Sequence, residues 1–255
     1  MPSVSIVLPT RNRPAELAQA IACVGRQSHP ELELILVRDG GSPLTEEVRR
    51  AIDRLEFPTQ LIERDDPPEG AGLARNHGVR SARADAIAFL DDDDLWEPGH
   101  VGRLAAALDK DAQADVIYAD AWISDVASGA RRPLAQEFNL AILGRDGFIP
   151  PSAMAARRGA FERFGLFDPE LRYSEDWDWL LRVARSGGRI SRLPGASVTI
   201  RIHEGGISAL RAEHLSERRL SLDLLARRHG LAPIQPKTFW EVAETLCPRL
   251  NASTR

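Results

Sequence analysis

A run of four consecutive aspartates directly follows a short apolar stretch of the chain: Asp91, Asp92, Asp93 and Asp94. Neighbouring ionised carboxylates repel one another and raise each other's pKa, so such a run is favourable only when a cation lies against it. A divalent metal is the simplest such cation. Mg²⁺ and Mn²⁺ prefer oxygen ligands, often one or two carboxylates together with substrate phosphates. The alternative is a solvated acidic turn in which one aspartate caps the following helix.

The segments before this run predict a parallel α/β sheet. Apolar runs alternate with amphipathic segments, which predicts strands at residues 4–8, 32–37, 59–63 and 86–90 and helices at residues 15–26, 44–55 and 72–81. This order favours parallel strands that are covered on both faces by right-handed crossovers. Because ligands bind outside the carboxyl ends of such strands, we expect the loops at 9–13, 39–42 and 91–94 to form a site together.

The second half of the chain is less regular. We predict helices at residues 98–108, 157–164, 175–186 and 210–229. We predict β structure at 115–124, 190–193 and 197–203, a turn or small hairpin at 125–133, and a loop at 144–151.

Composition narrows the class of protein. The 255 residues carry a net charge of −4, which gives no reason to expect nucleic-acid binding. Two cysteines far apart in sequence fit a reducing compartment. The N-terminus reads as a strand and not as a signal peptide, and no apolar run is long enough to span a membrane, so we expect a cytoplasmic protein. A small excess of Lys and Arg in residues 201–255 leaves peripheral membrane contact open, although a solvated helix face explains it better.

The motifs of the chain resemble, in their order, those of the family 2 glycosyltransferases, enzymes of the GT-A fold that use nucleotide-sugar donors. The resemblance spans residues 3–208 and rests on VLPTRNR at 7–13, DGGS at 39–42, Gly70 with ARNHG at 74–78, FLDDDDLW at 89–96, GLFD at 165–168, ED at 175–176 and RIH at 201–203. Each motif alone is a weak signal, and their order together is specific. Two positions depart from the family's usual pattern. Arg38 stands where a second aspartate is common, and the acidic run is fuller than the usual Asp-Ser-Asp-Asp, so the metal ligand is ambiguous between Asp91, Asp92 and Asp93.

The resemblance implies an α/β, GT-A (Rossmann-like) fold, with a mixed, mainly parallel sheet flanked by helices and a helical C-terminal extension. The implied glycosyltransferase domain covers residues 1–206, with a nucleotide-binding half at 1–110 and an acceptor-binding half at 111–206, and the extension covers 207–255. The implied reaction is an inverting transfer of sugar from a nucleoside-diphosphate sugar, UDP- or dTDP-linked, to a hydroxyl of a glycan, small-molecule or lipid-linked acceptor.

The resemblance also implies which residues hold the donor. Asp39 can accept an N–H of uracil or thymine, Thr10 beside Pro9 offers a hydroxyl, and Arg13 offers a planar cation. The alternative for Asp39 is a turn-forming residue. Arg75 is expected either to reach the donor or to lie on the surface.

The metal would be Mn²⁺ or Mg²⁺ on the donor's two phosphates. In an extended segment Asp91 and Asp93 point to one side and Asp92 and Asp94 to the other. We therefore expect Asp93 to bind the metal, Asp91 to bond to the ribose or the metal, and Asp92 to be the alternate. Asp94 should cap the turn before the next helix. His203 is expected to ligate the metal or meet the diphosphate, or else to be a structural histidine.

Asp176 is the candidate general base, because a first-turn position in a helix keeps a carboxylate ionised. Glu175 is the alternate, and the competing interpretation is that both acids merely mark a helix start. Trp179 is expected to contact the acceptor sugar, whereas Trp177, Trp96 and Trp122 should pack in the core.

Two other classes of protein remain in competition. A sugar-phosphate nucleotidyltransferase, like a dinucleotide-dependent dehydrogenase, needs a glycine-rich loop after the first strand, and residues 9–13 contain no glycine. A non-catalytic nucleotide-sugar-binding protein would not need the acidic run and the Glu175-Asp176 pair, and both are present.

Overall fold

The computed structural model describes residues 1–65, 67–203 and 212–248. The strands are β1 (Val4–Thr10), β2 (Leu32–Asp39), β3 (Thr59–Arg64), β4 (Ala86–Phe89), β5 (Leu95–Trp96), β6 (Val116–Asp125), β7 (Arg131–Leu134), β8 (Met154–Arg157) and β9 (Ile190–Ile202). The helices are α1 (Pro14–Val24), α2 (Glu46–Asp53), α3 (Ala71–Ser81), α4 (His100–Lys110), α5 (Leu140–Leu143), α6 (Arg158–Phe164), α7 (Glu175–Arg185), α8 (Ala212–Arg228) and α9 (Phe239–Leu246). The strands form one sheet in the order β3-β2-β1-β4-β8-β6-β9-β5, with β7 on β6.

The first half of the chain builds the parallel part of the sheet. β1 pairs in parallel with β2 and β4, and β2 pairs in parallel with β3. Every residue of β1 is buried, as expected for a central strand with helices on both faces. α3 lies so close to β1 that a Cβ on Gly78 would stand 2.3 Å from Val7 Cγ1, so only glycine fits there. The predicted alternation of strands and helices is confirmed.

The second half adds antiparallel strands. β8 lies antiparallel between β4 and β6, β9 is parallel to β6, and β5 pairs antiparallel with β9. The two strands predicted at 190–193 and 197–203 are one continuous strand. It contains Gly195 at φ 94°, and its register with β6 shifts between Ala119 and Ala121, as at a β-bulge.

An aromatic cluster fixes the position of α7. Trp179 is fully buried and stacks on Phe161 with ring centroids 4.5 Å apart, while its Nε1 donates to the Gly165 carbonyl over 2.8 Å. The expectation that Trp179 contacts the acceptor is therefore wrong, because its position on α7 directs the side chain into the core. Trp96 is buried as predicted.

The C-terminal helix predicted at 210–229 is observed as α8, and residues 210 and 211 lie outside the described part of the chain. α9 was not predicted; it begins with a capping box between Thr238 and Glu241. In the described ranges, no helix is both long and apolar enough to cross a membrane.

Candidate active site

A cavity of about 670 Å³ lies at the carboxyl ends of β1, β2 and β4. Its walls come from the loops after these strands, the starts of α3 and α7, and the C-terminal helices α8 and α9. The predicted site residues that line it are Pro9, Thr10, Arg13, Asp39, Arg75, Asp91, Asp92, Asp93, Glu175 and Asp176. His203 lies just behind this lining, with Nε2 3.1 Å from Asp93 Oδ2. Parallel strands bring these distant segments to one edge, as the sequence predicted.

The aspartate run forms a tight turn and not an extended segment. The Asp94 amide donates to the Asp91 carbonyl over 3.1 Å, so the expected extended segment is wrong. The odd and even side chains still differ, because Asp92 and Asp94 are buried whereas Asp91 and Asp93 are half-buried. Asp92 points inward, is 5% exposed, and accepts a hydrogen bond from the Thr10 hydroxyl over 2.8 Å. Burial has the largest effect on this carboxyl and raises the pKa of Asp92 to about 6.

Two arginines supply positive charge to the acidic turn. Arg13 Nη1 lies 3.1 Å from Asp92 Oδ1 and 2.6 Å from Asp93 Oδ2. Arg75 donates to the carboxylate of Asp91. The cation that the sequence required is therefore provided at least in part by the protein itself.

Asp94 joins the turn to β9 and does not cap the next helix. Its Oδ1 accepts from the Arg201 amide over 3.0 Å, and α4 has Gly99 at its N-cap. The expectation that Asp94 caps the turn before this helix is wrong, because its carboxylate instead accepts from an amide of β9. Burial, followed by the charge of Asp93, raises the pKa of Asp94 well above its ordinary value.

Asp39 holds the loop before α3 and also faces the cavity. Its carboxylate accepts from the Gly70 amide over 2.7 Å and from the Glu69 amide over 3.1 Å. Gly70 adopts φ 100°, which favours glycine at this point. Each carboxylate oxygen has more than one acceptor site, so Asp39 can still accept an N–H from a ligand.

The start of α7 presents two carboxylates with different exposure. Glu175 is 5% exposed and its Oε1 accepts from Arg75 Nη1 over 2.6 Å, whereas Asp176 is half-buried in the cavity wall. Burial raises the pKa of both acids, that of Glu175 to about 7. Arg75 itself is 4% exposed, so the expectation of a surface arginine is wrong. It is buried because it lies between the carboxylate of Asp91 in the acidic turn and that of Glu175 at the start of α7.

Asp93 and His203 form the pair best suited to a divalent metal. Asp93 lines the cavity, and His203 places a nitrogen donor directly behind it, next to the Asp93 carboxylate. Asp91 also lines the cavity, in the same turn as Asp93. Over the residues that the structure describes, no group of three or more His, Cys, Asp or Glu is arranged to hold a metal ion. This donor set fits a metal that is shared with substrate phosphates, which needs only one or two carboxylates from the protein.

One wall of the cavity was not predicted from the sequence, and it joins the loop around Asp146 to the C-terminal segment. Asp146 has a fully buried side chain and accepts from Lys237 Nζ over 2.6 Å and from Arg145 Nε over 2.7 Å. Burial favours its neutral form, but these two cations hold the pKa of Asp146 below its ordinary value. Trp177, predicted to be core, is 8% exposed and also lines the cavity. No short motif marks these residues, because they meet only in the folded chain.

Comparison with known proteins identifies the family. The model described as Glycosyl transferase family 2 matches residues 5–165. The chain belongs to glycosyl transferase family 2. A relative from Bacillus subtilis (strain 168), the uncharacterized glycosyltransferase YwdF, is 30% identical over 243 residues, which cover 92% of this chain and 87% of YwdF. The matched residues contain the strand-end loops and the acidic turn, and they end before α7 and His203.

Solved structures share the fold of this glycosyltransferase. S. aureus TarS 1-349 in complex with UDP-GlcNAc superposes with a TM-score of 0.68 at 21% identity, over 88% of this chain and 66% of that chain. The mannosyltransferase PcManGT from Pyrobaculum calidifontis, in complex with GDP-Man and Mn²⁺, gives a TM-score of 0.64 at 19% identity, over 91% of this chain and 66% of that chain. In another TarS structure, 99% of this chain matches 44% of that chain. The expected GT-A fold is confirmed.

Proposed function

We propose that this protein is an inverting glycosyltransferase that moves a sugar from a nucleoside-diphosphate sugar, UDP- or dTDP-linked, to an acceptor hydroxyl. The observation that carries the proposal is a single cavity lined both by Asp39, Thr10 and the acidic turn and by the half-buried Asp176. Membership in the family supports the transfer chemistry. The donors named with two structural neighbours, UDP-GlcNAc and GDP-Man, support a nucleotide-sugar donor.

The donor side of the cavity has groups for each part of a nucleotide. In this proposal Asp39 accepts an N–H of the base, beside Pro9 and Thr10, and Arg13 faces the ring or the phosphates. The remaining donor-side residues are Arg75, Asp91 and Asp92. Arg13 and Arg75 also reduce the repulsion between an incoming diphosphate and the acidic turn.

Mn²⁺ or Mg²⁺ is the proposed cofactor, held by Asp93 and His203 with Asp91 nearby. When bound, such an ion neutralises the charge that develops on the departing nucleoside diphosphate. The Mn²⁺ named with PcManGT supports this assignment.

Asp176 is the proposed general base. It lies in the first turn of α7, where the helix dipole stabilises a carboxylate by about 0.3–1 kcal/mol and so opposes the burial that raises the pKa of Asp176. It takes the proton of the acceptor hydroxyl while that oxygen bonds to the anomeric carbon and the bond to the diphosphate oxygen breaks. A single displacement of this kind inverts the anomeric configuration. Glu175 is the neighbouring carboxylate, and it is the alternate base.

We further propose that residues 1–206 form the catalytic domain, with the nucleotide held by 1–110 and the acceptor by 111–206. The boundary between this domain and the proposed helical extension, 207–255, lies outside the described residues; within the described part of the extension are α8 and α9. The acceptor would be a glycan, a small molecule or a lipid-linked molecule, and peripheral membrane contact fits the last of these. The C-terminal residues that line the cavity support a role for the extension in shaping the acceptor side: Arg218, Leu222, Lys237, Phe239 and Val242.

The test is to incubate the purified protein with Mn²⁺, a panel of nucleoside-diphosphate sugars and candidate acceptors, and to measure free nucleoside diphosphate. Acceptor-dependent release supports the proposal. Donor binding without release in any combination contradicts it and indicates a non-catalytic binding protein. Formation of a nucleotide sugar from a nucleoside triphosphate and a sugar phosphate would instead indicate a nucleotidyltransferase.

A further inference from the structure

The helix α3 holds the segment that leads into α7 through three of its residues. Asn76 Nδ2 donates to the Phe167 carbonyl over 2.8 Å, and Asn76 Oδ1 accepts from the Phe167 amide over 2.9 Å. Arg75 Nη1 donates to Glu175 Oε1 over 2.6 Å. Gly72 lies against the same side chain, since a Cβ there would stand 2.6 Å from Glu175 Cγ. The Glu175 side chain is therefore enclosed by one face of α3.

Arg75 continues from Glu175 to the acidic turn. Its second terminal nitrogen donates to Asp91, and the residue is 4% exposed. Burial acts to lower the pKa of Arg75, but the attraction of Asp91 and Glu175 outweighs burial and raises it. A planar guanidinium held by one carboxylate of the acidic turn and one at the start of α7 has one orientation, so it fixes the turn and the start of α7 relative to each other.

The start of α7 does not hold its conformation alone. Ser174, the residue before the helix, has φ 62° and makes no side-chain cap hydrogen bond. A non-glycine residue in this region of backbone space is strained and persists only where its surroundings hold it. Asp176 stands two residues later, so the orientation of its carboxylate depends on the contacts that restrain this strained start.

Glu175 would satisfy one criterion for a general base, because burial raises its pKa to about 7. Its geometry argues against that role. The side chain is 5% exposed, one oxygen accepts from Arg75, and the methylene groups lie against Gly72. Asp176 is more exposed at the cavity wall.

We propose that Arg75 and Glu175 are positioning residues, which orient Asp176 toward the donor site by joining α3, the acidic turn and the start of α7. On this account Glu175 acts as a hydrogen-bond acceptor of fixed size and does not take the acceptor's proton. The inference rests on the proposed function, in which Asp176 is the base.

Two substitutions of Glu175 separate positioning from proton transfer. Glu175→Gln keeps the size and an oxygen for Arg75, so kcat should fall by less than about tenfold, the loss expected when a hydrogen bond is weakened but kept. Glu175→Ala removes the contact, so kcat should fall on the order of 10²-fold, as misplacement of a reacting group can cause. The affinity for UDP in the presence of Mn²⁺, measured by calorimetry, should be near that of the wild type in both. Equal losses of 10²-fold or more in both variants would show that Glu175 is itself the base.

Gly72→Ala tests the same contact without changing a charge or a hydrogen-bonding group. The added methyl must displace Glu175, so kcat should fall while the KM for the donor changes little. The matched control is Gly102→Ala in α4, where a Cβ would meet nothing within 4 Å. Wild-type kcat in Gly72→Ala would overturn the proposal.

Hydrogen–deuterium exchange gives a readout that does not depend on activity. The amides of the first turn of α7 should exchange faster in Gly72→Ala and Glu175→Ala than in wild type or Gly102→Ala. Wild-type exchange in both variants would overturn the positioning role. If exchange is faster but Asp176→Asn keeps full activity, the base assignment fails while the coupling of α3 to α7 stands.

Discussion

Several residues of the candidate site already make hydrogen bonds within the protein. Asp39 accepts from two backbone amides, Asp92 accepts from the Thr10 hydroxyl, and Glu175 accepts from Arg75. The residue types and positions were visible in the sequence, but the partners were not, because Thr10 and Asp92 are 82 residues apart and Arg75 and Glu175 are 100 apart. The sequence therefore located the candidate site without showing which of its carboxylates are free to act.

Asp93→Asn should weaken the binding of metal and of donor together. The amide keeps the shape of the side chain but removes the charge that faces a cation. We expect calorimetry to show Mn²⁺ affinity lower by at least about 10- to 100-fold, the loss typical when a residue that only supports a metal ligand is changed, and UDP affinity lower in parallel. Asp53→Asn on the exposed face of α2 is the control. Wild-type affinities for Mn²⁺ and UDP in Asp93→Asn would show that Asp93 is not the metal ligand and would assign that role to another aspartate.

Glu175 should make the stability of the protein depend on pH. Its pKa is raised from 4.5 to about 7, so the folded state favours the neutral acid. The stability this group contributes is fully present below pH 4.5 and is lost as the pH rises through about 7. Glu175→Gln cannot ionise, so between pH 5 and pH 8 its free energy of unfolding should fall less than that of wild type, by on the order of 1–3 kcal/mol. Urea unfolding without metal measures this, and identical pH dependence in both proteins would refute it.

At the scale of elements, the periodicity of the first half was enough to predict its strands and helices. Each of these segments carries its own apolar pattern and its own turn residues. β5 was missed because two residues are too few to show a period, and β8 was missed because it follows the Gly- and Pro-rich loop at 144–151 and lies outside the regular alternation of the first half. Both strands pair with strands that are distant in sequence. The turn at residues 91–94 was misjudged for the same reason, since the β5–β9 pairing bends the chain there.

Asn76 tests whether α3 supports the second half of the chain. Asn76→Ala removes both hydrogen bonds to the backbone of Phe167, which is 1% exposed, and leaves an amide and a carbonyl without these partners. We expect the free energy of unfolding to fall by about 1–3 kcal/mol. Asn139→Ala removes two hydrogen bonds at the exposed start of α5 and should cost about 1 kcal/mol. A loss in Asn76→Ala no larger than in Asn139→Ala would contradict the prediction.

At the scale of the whole molecule, the residues that line the cavity extend along the sequence from Pro9 to Val242. The edge of the sheet that carries the cavity follows from the strand order and was predicted. The wall formed by α8, α9 and the loop around Asp146 was not, because those residues carry no motif and come together only in the folded chain; α8 and α9 also lie beyond the family match, which ends at residue 165. The parallel half of the sheet is specified by local sequence patterns, whereas the proposed acceptor side of the cavity depends on how the C-terminal helices pack.

Divalent metal should be required for turnover by the intact protein. Without it, the diphosphate meets an acidic turn that Arg13 and Arg75 neutralise only in part. Excess chelator should abolish release of nucleoside diphosphate, and added Mn²⁺ or Mg²⁺ should restore it. Full activity in excess chelator would contradict the proposed requirement for a divalent metal.

The most direct test of the central claim joins the base to the stereochemistry. Asp176→Asn keeps the shape of the side chain and its place at the start of α7 but deletes the proton acceptor, so turnover should fall by about 10² to 10⁴ while UDP binding is kept. NMR of the wild-type product should show an anomeric configuration opposite to that of the donor. A product that retains the donor's configuration, or near-normal turnover in Asp176→Asn, would contradict the account.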